Sequence, residues 1–374
     1  MPVAVAFPVF LVGVVVSLST SYLLVTRLER LGERLGLSEA LLGVVAALAA
    51  DAPEITSAVT ALSHHQQKVG AGVIIGSNVF NLAGLLGLGA VAAGGIALHR
   101  KVVLLGGVTG IWVAAVCLVT AMGLVPPAAG LALVLTVLVP YIVVLGAGRT
   151  RLGRLPVARR WENWLAVAIS EEEQELNEAI RPVKGRRPDV AVAAIALVVV
   201  VVASVAMERA ASSLGSHYGV AEIVTGGIVL AAVTSLPNAV AAVYLAARGR
   251  GAAMLSTTLN SNTINVTAGL LLPATITGLG APSPHTTLIA VWNLGLTVAA
   301  LSFAYRDSGV GRATGALIIG AYLVFLGSLL ATAHTAAPPV GLTVVPALIV
   351  AAGCVAGLLR RPGRATPSRI QGRE

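Results

Sequence analysis

Charge is the scarcest thing in this sequence. Only 11% of its 374 residues are Asp, Glu, Lys or Arg, and 56% are hydrophobic. A soluble domain carries roughly a quarter charged residues, so an ordinary soluble globular protein is excluded. Aromatic residues are also few, at 4%. Without basic residues interleaved with aromatics, the net charge of +9 does not describe a nucleic-acid surface. The two cysteines, Cys117 and Cys354, sit apart in apolar runs and read as packing residues. Within the apolar runs there is neither a nucleophile with a base nor a His-rich metal cluster, so intramembrane catalysis has no candidate and the chain does not read as an enzyme.

What is present is a succession of apolar runs, each near the roughly 20 residues that a helix needs to cross a bilayer. Spans are predicted near 3–25, 39–62, 70–93, 102–121 and 128–147, then near 189–207, 221–246, 251–273, 285–304 and 313–332. An eleventh is predicted near 340–358. The first run, Pro2 to Val25, has no basic segment before it and reads as a retained span. Counting Lys and Arg on alternate sides puts 23 of 25 on one side, with only Lys68 and Arg209 on the other. The basic excess marks the cytoplasmic side, so the N-terminus is expected outside and the C-terminus inside, in a cytoplasmic membrane. An odd number of spans per half inverts the second half relative to the first, the geometry of an inverted repeat.

The expected domains are 1–147, a first five-helix repeat; 148–188, a linker on the basic side; 189–335, a second repeat; and 336–374, an extra helix and basic tail. Within the linker, "LPVARRWENWLAVAISEEEQELNEAIR" reads as an interfacial amphipathic helix, and the acidic run from Glu171 to Glu178 as a solvated connector face.

The repeat is visible in the residues. Pro53-Glu54 is followed by Ser77-Asn78 and Asn81, and Pro237-Asn238 by Ser261-Asn262 and Asn265, every pair 184 positions apart. Prolines at 53 and 237 break helix ladders, which a membrane tolerates only where neighbours or a cavity satisfy the freed groups. The freed carbonyls are expected to face a bound cation. Asp51 and Glu54 can share one helical face, and intramembrane carboxylates mark ion or proton paths. Residues 256–265 hold eight Ser, Thr or Asn in ten positions, which no lipid-facing helix would carry. Carboxylate, amide and hydroxyl oxygens suit sodium, calcium, magnesium or manganese. His64 and His65 read as solvated loop residues, and Glu39, Glu208 and Glu222 as interfacial residues at span ends.

These paired motifs resemble the alpha repeats of the calcium/cation antiporter superfamily, the sodium/calcium exchanger membrane region, which run Gly-Thr-Ser-x-Pro-Glu and then Gly-Asn-x-x-Gly-Ser-Asn. The first copy here reads Ala49-Ala50-Asp51-Ala52-Pro53-Glu54 and Gly72-Val73-Ile74-Ile75-Gly76-Ser77-Asn78. The second reads Val233-Thr234-Ser235-Leu236-Pro237-Asn238 and Ser256-Thr257-Thr258-Leu259-Asn260-Ser261-Asn262. The resemblance implies an all-α polytopic fold of two inverted five-helix repeats, here with the eleventh helix added. It implies ion sites at mid-membrane and alternating access by sliding of spans 1 and 6. Carried over by position, Glu54 and Asp51 are the carboxylates. Ser77, Asn78, Asn81, Thr234, Ser235, Asn238, Ser261, Asn262 and Asn265 complete the candidate cage.

The chain departs from the pattern twice. Asn238 stands where the second half would present a glutamate, and Asp51 where the first half would present a serine. The function implied is secondary active cation antiport, calcium first, against sodium or protons. Asp51 facing the site would let a divalent cation meet two charges; otherwise Glu54 alone favours a monovalent ion. Two carboxylates this close repel, which makes a proton a credible coupling ion. The alternatives are a proton-coupled or monovalent-cation exchanger, and a non-transporting membrane sensor or scaffold. No cofactor is implied beyond the transported cation; the partners are those cations and the lipid bilayer.

Overall fold

A computed structural model describes residues 1–37, 39–151, 161–170 and 186–335. The chain opens with the long helix α1 (Val3–Leu35), followed by α2 (Glu39–Ala50) and α3 (Ala52–Ser63). α4 (Gln67–Asn81) passes through a π-helical turn, Leu82–Gly87, into α5 (Leu88–Ala93). α6 (Arg100–Ala121) and α7 (Pro127–Arg151) complete the first half. Residues 161–170 form α8, where Trp161 and Trp164 meet edge to face. The acidic run beginning at Glu171 and the eleventh span lie outside the described residues.

The second half repeats the order. α9 (Arg187–His217) leads to α10 (Glu222–Val224), a π turn at Thr225–Leu230, α11 (Ala231–Thr234) and α12 (Leu236–Ala247). α13 (Gly251–Ile264) runs through a π turn at Asn265–Leu271 into α14 (Leu272–Thr277), before α15 (Pro284–Asp307) and α16 (Arg312–Thr332).

Seven helices are long and apolar enough to cross a membrane alone, and two bent pairs add two more spans. A tenth, Gly251–Thr277, is continuous helix but too polar to qualify by composition, because its side chains face protein. α1 runs ten residues past the predicted end of its span. That extension carries Arg27 and Arg30, which pair with Asp189 at the start of α9.

The helix breaks fall one or two residues before the prolines. The chain turns by 54° between α2 and α3 and by 46° between the Glu222–Thr234 segment and α12. The pivots, Asp51 (φ −81, ψ −2) and Ser235 (φ −85, ψ −3), have nearly identical backbones. Pro53 and Pro237 lie in the first turn of the new helix, where a missing N–H costs nothing. The carbonyls freed at the first break are not all turned toward the site. Ser21 of α1 donates to Ala49 O at 3.2 Å, because that side of the break faces another helix and not the polar centre.

The centre of the bundle is the Gln67–Ala93 span, 89% buried, against 17% for the Val3–Gly32 span at the periphery. α1 and α9 lie side by side, and Ser17 and Ser204 share a hydrogen bond at 2.9 Å between them. α4 reaches the centre because it carries Gly72 and Gly76. A Cβ on Gly76 would stand 2.4 Å from Gly227 O, so glycine alone allows this backbone contact.

The connections sort to two ends. At one, β1 (Ile96–Ala97) and β2 (Gly309–Val310) pair antiparallel, with Gly251 packed on Ala97 O. At the other, Ser213 donates to Met1 O, Ser212 to Gln66, and Arg209 to the His64 ring, which donates from Nδ1 to Thr60 O. Gly123 packs there against Pro282. The first end gathers connections rich in Lys and Arg; the second gathers those holding Lys68 and Arg209. Glu208 lies at this end among Met1, His64 and Gln66, 2% exposed, and accepts from Ser212.

Candidate cation site

The two breaks meet at the middle of the bundle. The new first turns of α3 and α12 aim residues 51 and 54, and 235 and 238, at one another across the junction of the halves. Asn238 Nδ2 donates to Asp51 Oδ1 at 2.7 Å, and Ser235 Oγ donates to Glu54 Oε1. The pairing is crossed. Position 51 corresponds to 235 and position 54 to 238, so each residue bonds the opposite position of the other half. Every one of these four residues is buried.

α4 and α13 close the centre from either side. Ser261 Oγ gives a second bond to Asp51 Oδ1 at 2.7 Å, and Asn265 Nδ2 donates to Glu54 Oε2 at 2.6 Å. Asn78 and Asn262 exchange side-chain to backbone bonds reciprocally, at 3.0 and 3.2 Å. Asn81 Nδ2 donates to Ser261 Oγ and to Asn262 Oδ1, and Asn265 Nδ2 reaches Asn78 Oδ1. Asp51, Asn238, Ser261, Asn81, Asn262, Asn78, Asn265, Glu54 and Ser235 therefore form one connected network. π turns begin immediately after Asn81 and at Asn265. Such turns leave backbone groups out of the regular ladder and recur at functional sites.

Electrostatically the centre is unbalanced. Asp51 and Glu54 are both fully buried, and among the described residues neither has an ion-pair partner. Burying a charge without a partner costs several kcal/mol. Three buried oxygens of this network, Asp51 Oδ2, Asn81 Oδ1 and Asn265 Oδ1, accept no hydrogen bond. Positive charge, which these unsatisfied acceptors and uncompensated carboxylates lack, is what a cation would supply. Among the described residues no three His, Cys, Asp or Glu side chains cluster, so the remaining ligands would be neutral hard oxygens, which suit calcium or sodium.

Two expected residues are engaged elsewhere. Thr234 Oγ1 donates to Leu230 O in its own helix at 2.8 Å, and Ser77 Oγ reaches Ala231 O at 3.5 Å. The Ser77 bond ties the second break to α4. Residues outside the motifs flank the site. Ser57, one turn past Glu54, is buried with an unpartnered hydroxyl; its spacing from Glu54 is a signal the sequence does carry. Ser21 is reached only through tertiary packing.

The chain matches the family described as sodium/calcium exchanger protein over residues 5–147 and 189–331. It belongs to that family. A sodium/potassium/calcium exchanger 2 from Gallus gallus is 31% identical over 124 residues, 31% of this chain and 19% of the relative. The same protein from Mus musculus matches equally over the same length. The aligned stretch thus spans about a fifth of those relatives. Among solved structures, the H+/Ca2+ exchanger CAX shares the fold with a TM-score of 0.69 at 14% identity, covering 94% of this chain and 87% of that one. The sodium-calcium exchanger NCX_Mj gives 0.51 at 19% identity, covering 87% and 99%. This sodium/calcium exchanger family member is therefore a multi-pass membrane protein of two repeats, and its crossed centre lies between them.

Proposed function

We propose that the chain is a secondary active cation antiporter whose principal substrate is a divalent cation, calcium first, moved against sodium or protons by alternating access. The observation that carries this reading is the pair of buried carboxylates without a counter-charge, Asp51 and Glu54, joined in one network of neutral oxygens. A monovalent ion would leave one negative charge uncompensated there; a divalent cation neutralises both. The coupling ion occupies the same oxygens in the return half of the cycle. The names of the matched exchangers, which include H+/Ca2+, sodium-calcium and sodium/potassium/calcium exchange, support the same ion set.

The basic excess in the connections supports an orientation with the N-terminus outside and the C-terminus inside a cytoplasmic membrane. The peripheral pair α1 and α9, small-faced and linked by Ser17 and Ser204, is suited to slide against the buried centre. The second reading is a proton-coupled or monovalent-cation exchanger, motivated by Asn238, an amide where the resembling motif has its second acid.

The test is calcium flux in proteoliposomes under imposed sodium or proton gradients. Uptake driven by an outward sodium gradient supports sodium coupling, and uptake driven by protons alone supports the second reading. Absence of gradient-driven movement of any cation, with Glu54→Gln leaving cation binding unchanged, leaves a sensor or scaffold instead.

A further inference from the structure

Asn293 lies on α15, outside the repeat motifs, and is 1% exposed. Its Oδ1 is buried and accepts no hydrogen bond. A buried amide oxygen left unpaired carries the full cost of its lost hydration. The residue lines a small internal void with Asn78, Asn262, Thr263 and Thr297, closed elsewhere by apolar residues of α6, α13 and the π turn that follows α13. The void leaves about 10 Å³ for a guest's centre, the size of one water. No carboxylate lines it, so its guest is neutral. Because the guest must donate to Asn293 Oδ1, it carries a proton donor.

The void is two hydrogen-bonded steps from the carboxylates. Asn78, in its wall, accepts from Asn265 through Oδ1, and Asn265 donates to Glu54. Asn78 is also bonded reciprocally to Asn262, the other asparagine in the wall. We propose that Asn293 is a positioning residue of the cation site, acting through one buried water held between its Oδ1 and the Asn78–Asn262 pair. The water fixes the amide pair, and the pair fixes the Asn265 amide that holds Glu54. In the first half the matched position is Thr109, whose hydroxyl bonds Leu105 O of its own helix. The inference rests on the reading of this centre as a cation site.

The experiment compares Asn293→Thr with Asn293→Val in the full-length chain, two variants of equal shape that differ in one polar atom. Calcium flux is measured over a range of calcium concentrations, with thermal stability as the folding control. Thr is expected to keep the apparent KM within about threefold of wild type, and Val to raise it about tenfold, one hydrogen bond's worth, with Vmax within about twofold in both. Equal KM values for Thr and Val overturn the proposal, as does a parallel loss of Vmax and stability in both. A Thr–Val gap that grows with sodium concentration identifies the guest as sodium and overturns the water. Should Val fail to fold, Asn293→Leu, closest in volume, takes its place. If wild type binds calcium by calorimetry but shows no flux, the transport reading fails, and the same Thr–Val comparison is read from the calcium Kd. If wild type binds no cation, both fall.

Discussion

The two bent spans share a backbone and differ in charge. Asp51 and Ser235 pivot at nearly the same φ and ψ, and both breaks place a proline in the following first turn. Yet the first half brings Asp51 and Glu54 to the centre where the second brings Ser235 and Asn238. Because the contacts cross, the difference is smaller than it looks. Glu54 with Ser235 is an acid accepting from a hydroxyl. Asp51 with Asn238 is again an acid accepting from a donor, and again the acid comes from the first half. The resembling motif has serine at the first of these positions and glutamate at the second, so the acid has changed sides of one hydrogen bond. Charge at the centre is kept while its symmetry is lost.

The strongest way to break this comparison is Glu54→Gln. It removes one of two charges and turns one of the two accepting oxygens into an NH2, so that either Ser235 or Asn265 loses its acceptor, an expected loss of about 3 kcal/mol, or roughly a hundredfold in calcium affinity, read by calorimetry and by flux. Exchanging the sides sharpens it. Asp51→Ser alone is expected to weaken calcium binding about thirtyfold, and Asn238→Glu alone to crowd a third acid into the centre. The double variant, with the acid returned to the second half, is expected within about threefold of wild type, a coupling of about 2 kcal/mol in a double-mutant cycle. A double variant no better than Asp51→Ser would show that the acid cannot change sides.

Protons give a third measure. Protons and calcium compete for the same carboxylate oxygens, so calcium affinity is expected to fall as pH falls. The steepness should drop by about one proton when Asp51 is replaced by Ser, since one of two titrating acids is gone. Calcium titrations across pH check this. The smallest expected effect separates the matched asparagines. Asn265 donates to a carboxylate and Asn81 only to neutral oxygens. Charge-assisted bonds are the stronger, so Asn265→Ala should cost about tenfold in affinity and Asn81→Ala about threefold.

Much of this was legible in the chain itself. Apolar run length located ten spans, because a bilayer admits only helices of that length there; eight match within about four residues, while α1 and α9 each run ten residues further. The 184-residue offset exposed the repeat and named the residues that meet at the centre, because pivots, prolines and asparagines recur at fixed spacing. Other features were not legible because they depend on neighbours. The polarity of residues 256–265 told that they face protein, not that Asn260 serves Tyr141 while Ser261 serves Asp51. Thr234 matched the motif, yet its hydroxyl is used within its own helix.

The sequence by itself determined the spans, the inverted repeat, the breaks and the identity of the oxygens, since each follows from local composition, spacing and the cost of polar groups in lipid. Only the tertiary structure decided that the halves pair crosswise. Which side chain meets which across an interface depends on how two bent helices are set against each other, and no spacing within either one contains that. On that geometry turns the role of Asp51, which faces Asn238 and supplies from the first half the charge the second lacks.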